Sequence, residues 1–157
     1  MLFRSSVVVK HPPPGEPGWT DATLEEAAQW GVAFSKAWRA GLASASAFAV
    51  EADQVSKAGA SGEFVARGAW VIHGTKQVFK DLPTELGLGT VVDRGESLWV
   101  VAPPRSFTGR GQLEYRLTPG PERERGEREV ELGRATGLSR NRLQSLLPSG
   151  GITFRRA

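Results

Sequence analysis

The sequence predicts an α+β fold: a mostly antiparallel sheet packed on one long amphipathic helix, with a small β-α-β appendage at the C-terminal end. Three observations carry this. Apolar, β-branched and aromatic runs are short and are separated by Gly, Pro and Asp clusters, which is the pattern of strands joined by turns. Only one stretch, from Thr23 to about Ala40, keeps a sustained helical period. The strands do not alternate with helices, so a parallel doubly wound sheet is not expected.

In chain order, Ser5-Ser6-Val7-Val8-Val9-Lys10 reads as a buried strand, and the prolines of residues 11–18 then make a linker loop. Thr23-Leu24-Glu25-Glu26 has the form of a capping box, and the helix it opens is expected to reach Arg39 or Ala40 and stop at Gly41. At 100° per residue, Leu24, Ala27, Ala28, Gly31, Phe34, Ser35 and Trp38 form the inner face. Glu25, Gln29, Lys36 and Arg39 form the solvent face.

Ala45 to Val50 is a predicted strand and Glu51 to Gly62 a loop. Phe64 to His73 reads as a longer strand bent at Gly68, turned by Gly74 into a return strand over Lys76 to Phe79. Pro83 and Gly87-Leu88-Gly89 punctuate the chain again. Thr90 to Val92 and Ser97 to Ala102 make a hairpin around Asp93-Arg94-Gly95-Glu96. Pro103-Pro104 is the one plausible boundary, which divides the chain into a domain over 1–102 and a small basic appendage over 103–157. In the appendage, Gln112 to Leu117 is a strand ended by Pro119-Gly120. Glu122 to Arg134 is a solvated helix or a partly ordered arm anchored by Val130 and Leu132. Ser139 caps a short helix through Leu147, and Ile152 to Phe154 is the last strand.

Composition narrows the function classes. The chain has 157 residues and a net charge of +3, with 39% hydrophobic residues and five Trp, enough to build a core. The absence of Cys excludes a disulfide framework, a Cys-ligated zinc site and a thiol nucleophile. No apolar run is long enough for a membrane span, and the N-terminus lacks the form of a signal peptide, so a cytoplasmic protein without a membrane partner is expected. His11 and His73 have no carboxylate at metal-ligand spacing, and neither a nucleophile elbow nor a phosphate loop is present. Helix capping accounts for Glu25 and Glu26. No catalytic, cofactor-binding or metal residue is therefore assigned, and a small hydrolase is the weakest of the readings kept.

Nucleic-acid binding has better physical grounds, because a phosphate backbone needs several cations on one surface. Residues 1–80 hold eight cations and seven acids; residues 81–157 hold twelve cations, all Arg, and ten acids. Leu132 to Ala157 carries five Arg and no acid. Lys36 and Arg39 on the helix, Lys57 in the polar loop, and Arg67, His73, Lys76 and Lys80 on the following strands form one patch if the helix packs beside that hairpin. Trp30 and Trp38 read as core, and Trp19 as the exposed aromatic.

Several segments, in the right order, resemble the NFACT-R domain, the RNA-binding module of NFACT proteins. They are Ser6-Val7-Val8-Val9-Lys10, Thr23-Leu24-Glu25-Glu26-Ala27-Ala28, Ser35-Lys36-Ala37-Trp38, Gln54-Val55-Ser56-Lys57, Ser61-Gly62-Glu63-Phe64, Gly68 and Ile72-His73-Gly74. The tail, from Pro119-Gly120 to Leu146-Leu147-Pro148-Ser149-Gly150-Gly151, is similar to the region that follows the domain in archaeal members. His73 stands where the family usually has Arg, and the family's first strands would precede Ser5. The resemblance implies RNA binding, to ribosomal or transfer RNA on the large ribosomal subunit, in ribosome quality control and without an enzymatic step. By position it makes Lys36, Gln54, Ser56, Lys57, Ser61, Glu63 and His73 candidate contacts. Scaffolding of the loop is the competing role for Gln54, Ser56 and Glu63. A protein-interaction module is the second reading: the unpaired sheet edge would pair with a separately encoded NFACT part, a ribosomal protein or a second copy.

Overall fold

A computed structural model describes residues 6–57 and 70–157. It is α+β, and among the described residues the pairing is antiparallel and the strands fall into three sheets instead of one. Two helices come first, α1 (Asp21–Ala33) and α2 (Lys36–Arg39). β1 (Ser44–Ala49) follows, then a 3-10 turn over Ala52–Gln54 and the short strands β2 (Val55–Ser56) and β3 (Val71–Ile72). β4 (Gln77–Pro83) returns to pair with β1, and among the described residues the end of the strand expected to pair with it, Val71–Ile72, pairs with β2 instead. Most of the 64–73 strand lies outside the described residues. β5 (Leu86–Asp93), β6 (Glu96–Ala102), β7 (Gly111–Gly120) and β8 (Gly151–Arg156) make a four-stranded sheet in the order β6-β5-β7-β8. α3 (Arg125–Thr136) and α4 (Arg140–Leu146) connect its last two strands.

The predicted long helix is two helices. Thr20, not Thr23, is the N-cap: its Oγ1 accepts from the Thr23 amide at 3.2 Å, and the Thr23 hydroxyl accepts from the Thr20 amide at 3.4 Å. Ser35 ends the first helix and starts the second. Its hydroxyl donates to the Val32 carbonyl at 2.7 Å and accepts from the Ala37 amide at 3.1 Å, so it competes with the helical ladder and then caps a new turn. The projected faces also differ within α1 itself. Gln29, assigned to solvent, is buried with Val32 and Ala33, while Phe34, assigned to the inner face, is exposed. Glu25, assigned to solvent, and Glu26, assigned to the cap at Thr23, both turn to the segment after Pro103 instead. Glu25 pairs with Arg105 at 3.1 Å, and Glu26 accepts from the Ser106 hydroxyl at 2.6 Å.

The Glu25–Arg105 pair ties α1 to the 3-10 turn over Pro104–Phe107. The Arg105 guanidinium, through its hydrogen bond first and its charge second, holds the Glu25 carboxyl below its ordinary value of 4.5. A depressed folded-state value stabilises the fold above pH 4.5, and that contribution is lost as pH falls through the depressed value. The pair is exposed, so the effect is small. Denaturation midpoints of the native chain and Glu25→Gln should differ near neutral pH and converge under strong acid.

Among the described residues Ser6 to Lys10 joins no sheet, contrary to the strand expected there; Val7 lies over Gly31 of α1 and Val8 is exposed. Trp19 is only half-exposed. It stacks on His11 at 4.6 Å between ring centroids and donates its indole hydrogen to the Lys10 carbonyl at 3.0 Å, closing the proline loop.

One buried cluster spans the chain. Leu86, Leu88, Val101, Tyr115, Leu117 and Ile152 from the four-stranded sheet meet Leu132 of α3, Leu143 and Leu147 near α4, and Ala33 and Trp38 from the first helices. The Trp38 indole donates to the Gly151 carbonyl at 2.9 Å. Strands from both sides of Pro103-Pro104 therefore share one sheet and one core.

Gly87 and Gly89, expected to punctuate, lie inside β5. The Phe107 ring packs where their side chains would be. β7 also continues through Pro119 and Gly120. Pairing with β5 ends at Leu117, so the side on which Pro119 lacks a donor has no strand to serve. The charged 122–134 segment is an ordered helix. Glu129, buried on α3, accepts from Arg125 at 2.8 Å, Arg140 at 3.4 Å and Gln144 at 3.3 Å. Arg125 also donates to the carbonyls of Pro148 and Gly150. Leu132 is the anchor expected, but Val130 is exposed. Of the five arginines in the tail that lacks acids in sequence, two meet acids in space among the described residues: Arg140 pairs with Glu129, and Arg156 with Glu114 at 3.8 Å.

Candidate nucleic-acid interface

Gln54 organises the junction between β1, β2, β3 and β4. As the last residue of the 3-10 turn, it returns its side-chain oxygen to the Glu51 amide at 2.8 Å. Its side-chain nitrogen donates to the carbonyls of His73 and Thr75, each at 2.8 Å. Its backbone carbonyl accepts from the His73 amide at 2.8 Å. One side chain thus holds two segments about twenty residues apart and fixes the turn at Gly74, whose φ is 76°. A Cβ on Gly74 would lie 3.1 Å from the Gln54 nitrogen, so glycine meets both the φ and the contact.

Around this junction the described chain collects polar and basic groups. The Ser56 hydroxyl and His73 Nε2 share a hydrogen bond at 3.0 Å. Lys57, directly after β2, extends its ammonium over the Trp70 ring, 5.1 Å from the centroid. Lys76 does the same over Phe48, at 4.8 Å. Phe48 lies on the outer face of β1 opposite Val78 of β4, and Lys80 follows on that face by the two-residue period. Phe79 and Leu82 point the other way, toward α1.

Of the predicted contacts, Gln54, Ser56, Lys57, His73 and Lys76 are brought together, with Lys80 beside them. Ser61, Glu63 and Arg67 lie outside the described residues. Lys36 and Arg39 are not part of this group. α2 precedes the Ser44 end of β1, whereas Gln54 follows its Ala49 end, about 17 Å along a six-residue strand. Arg39 is also matched by Glu122 at 3.2 Å. The single patch running from helix to hairpin is corrected to one on the hairpin side. The helix packs on the inner face of β1 and β4, which leaves their outer face to the lysines.

The charge pattern separates the two kinds of cation. Eight described arginines stand within 4.0 Å of a carboxylate, whereas none of the five lysines does among the described residues. Seven of the twelve arginines of residues 81–157 are matched in this way; among the described residues Arg94, Arg123, Arg134, Arg142 and Arg155 are not, and they and the lysines remain available to an anionic partner. Two residues here were missed from sequence, Phe48 and Trp70. Alternation along a strand separates two faces without saying which is buried. Among the described residues no group of three or more His, Asp or Glu side chains could hold a metal ion, and no helix is long and apolar enough to cross a membrane.

Residues 3–74, which include Gln54, Ser56, Lys57 and His73, match the family model described as the NFACT protein RNA binding domain. The chain carries an NFACT RNA-binding domain. It is of the archaeal type: over 134 residues, 83% of this chain, it is 31% identical to a protein described as the archaeal Rqc2 homologue aRqcH of Methanocaldococcus jannaschii. The chain spans 20% of the length of that relative. The NFACT-R match ends at Gly74, just after the Gln54–His73 junction, while the similarity to the archaeal protein covers most of the chain. No solved structure matches.

Proposed function

We propose that this NFACT-R chain is a non-enzymatic, cytoplasmic RNA-binding module that engages ribosomal or transfer RNA on the large ribosomal subunit during ribosome quality control. The observation that carries the reading is the pairing of unmatched lysines with the ordered Gln54–His73 junction in the segment that matches an RNA-binding family. Gln54 scaffolds the junction, and Lys57, Lys76, Lys80 and His73 face the RNA. The contacts are mostly to phosphate, so sequence selectivity is weak. The name of the archaeal relative supports the link to quality control.

Anisotropy titrations with transfer RNA and ribosomal RNA fragments across a salt series test this. Each phosphate contact contributes roughly 0.7–0.9 to the slope of log K against log salt. Lys57→Ala with Lys76→Ala is therefore expected to flatten the slope by about 1.5. Absence of measurable affinity at low salt would overturn the proposal.

A protein-interaction module is the second reading, favoured by one observation: among the described residues Ser6 to Lys10 joins no sheet, and Val7 and Val8 are exposed. Its partner is a separately encoded NFACT part, a ribosomal protein or a second copy. Size-exclusion chromatography with and without transfer RNA separates the readings: salt-insensitive self-association supports this one, and an RNA-dependent shift supports the first.

A further inference from the structure

Two exposed rings flank the Gln54–His73 junction, and each carries a lysine ammonium. Trp70 is 56% exposed beneath Lys57, and Phe48 is 48% exposed beneath Lys76. The core does not need either ring on the surface. Phe48 lies on the face of β1 turned away from α1, opposite the exposed Val78, and Trp70 leads into β3 opposite the residue that follows β2. Leaving a Trp and a Phe in water forgoes the largest apolar burial any side chain offers. No carboxylate among the described residues lies within 4.0 Å of Lys57 or Lys76, so both ammonium groups can meet a phosphate.

A ring next to a cation is matched to one feature of nucleic acid, a base next to its phosphate. In an A-form duplex the base faces are stacked inside and only sugars, phosphates and groove edges are presented. A phosphate surface built for duplex alone would use the lysines and leave the rings idle. A strand with unstacked bases uses both, because every base has a π face whatever its sequence. The chain from Trp70 to Lys76 is six residues, at most about 20 Å, so both rings lie within reach of one short stretch of strand.

We infer that this site takes unstacked nucleotides, a single-stranded or looped RNA segment, with Trp70 and Phe48 as stacking platforms and Lys57 and Lys76 on the flanking phosphates. The inference rests on the RNA-binding reading and names the class of RNA. It also gives the two rings a role that phosphate contact alone does not.

The test uses the full chain and three probes at low salt: a short single-stranded RNA of mixed sequence, the blunt duplex it forms with its complement, and a hairpin with an open loop. The single strand and the hairpin are expected to bind about tenfold tighter than the duplex. Phe48→Ala and Trp70→Ala are each expected to weaken single-strand binding by roughly five- to a hundredfold and to leave duplex binding unchanged. Trp70→Phe should restore most of the loss. Both side chains are exposed, so melting temperatures should stay at the native value, and a variant that melts early is replaced by Phe48→Leu or Trp70→Leu. Equal binding of strand and duplex, with neutral ring variants, overturns this inference and leaves RNA binding standing. Failure of the folded chain to bind any probe overturns the RNA-binding reading itself. Ring variants that lose a protein partner while keeping every RNA affinity also overturn the inference, and assign the rings to the interaction-module reading.

Discussion

Replacing Trp38 with alanine is expected to remove about 3–5 kcal/mol of stability, the usual cost of emptying a large aromatic site in a core. The side chain is 1% exposed and belongs to the cluster of Leu86, Leu88, Leu117, Leu132, Leu143 and Ile152. Its indole hydrogen is held by the Gly151 carbonyl at 2.9 Å, across 113 positions of sequence. Trp38→Phe keeps most of the packing and orphans that carbonyl, so about 1–3 kcal/mol is expected for it. Domains of this size commonly have only 5–15 kcal/mol in hand, and the alanine variant should therefore lie close to unfolding at moderate temperature. Trp38 comes from the segment matched to the RNA-binding family, while most of the cluster comes from residues beyond that match. The native chain should thus show one cooperative urea transition. A loss below about 1 kcal/mol for Trp38→Ala, or two well-separated native transitions, would show that the two parts do not share a core.

The elements legible in the sequence were those with local causes. Asp93-Arg94-Gly95-Glu96 is a two-residue hairpin turn, with φ of 50° at Arg94 and 83° at Gly95, and the turn residues announce it. Ser139 caps α4 and Leu143 faces inward, as the spacing indicates. The family segment Ser35-Lys36-Ala37-Trp38 was visible as a resemblance, but its mechanical content, a serine that ends one helix and caps the next, was not drawn from periodicity. A 100° projection gives the relative placement of side chains and not the side that is covered, which is how Gln29 and Phe34 exchanged sides within α1. Non-local causes were harder to see. β4 pairs with β1 across the 3-10 turn and β3, and Gly87 and Gly89 read as turns because the ring that needs their missing side chains, Phe107, lies across the sheet. At the interface, charge and the Gln54-Val55-Ser56-Lys57 segment drew attention to the Ala49 end of β1, where Gln54, Ser56, Lys57, His73 and Lys76 gather. The exposure of Phe48 depends on which face of β1 α1 covers, and no local pattern states that.

The same substitution should act with opposite sign at two glycines. At Gly89 an added Cβ would lie 2.1 Å from the Gln112 carbonyl oxygen and 2.6 Å from the Phe107 ring. The first obstacle is backbone, which a rotamer change cannot relieve. β5 and β7 shift register at this point: Leu88 opposes Tyr115 and Gly89 opposes Leu113, so Glu114 is the extra residue of a bulge. Gly89 permits the close approach that the bulge creates. Gly89→Ala must open the β5–β7 ladder or expel Phe107, and about 3 kcal/mol of destabilisation is expected. Expelling Phe107 also moves Arg105 and Ser106, the groups that hold Glu25 and Glu26 of α1. Gly126, in the first turn of α3, has nothing within 4 Å of its Cβ position, and its φ is not positive. Gly126→Ala restricts the unfolded chain without a native clash and should stabilise by about 0.5–1 kcal/mol. Urea titrations of the two variants at matched slope decide the argument. A Gly89→Ala protein as stable as Gly126→Ala would mean that the bulge relaxes freely and that the sheet is not what holds the Phe107 turn against α1.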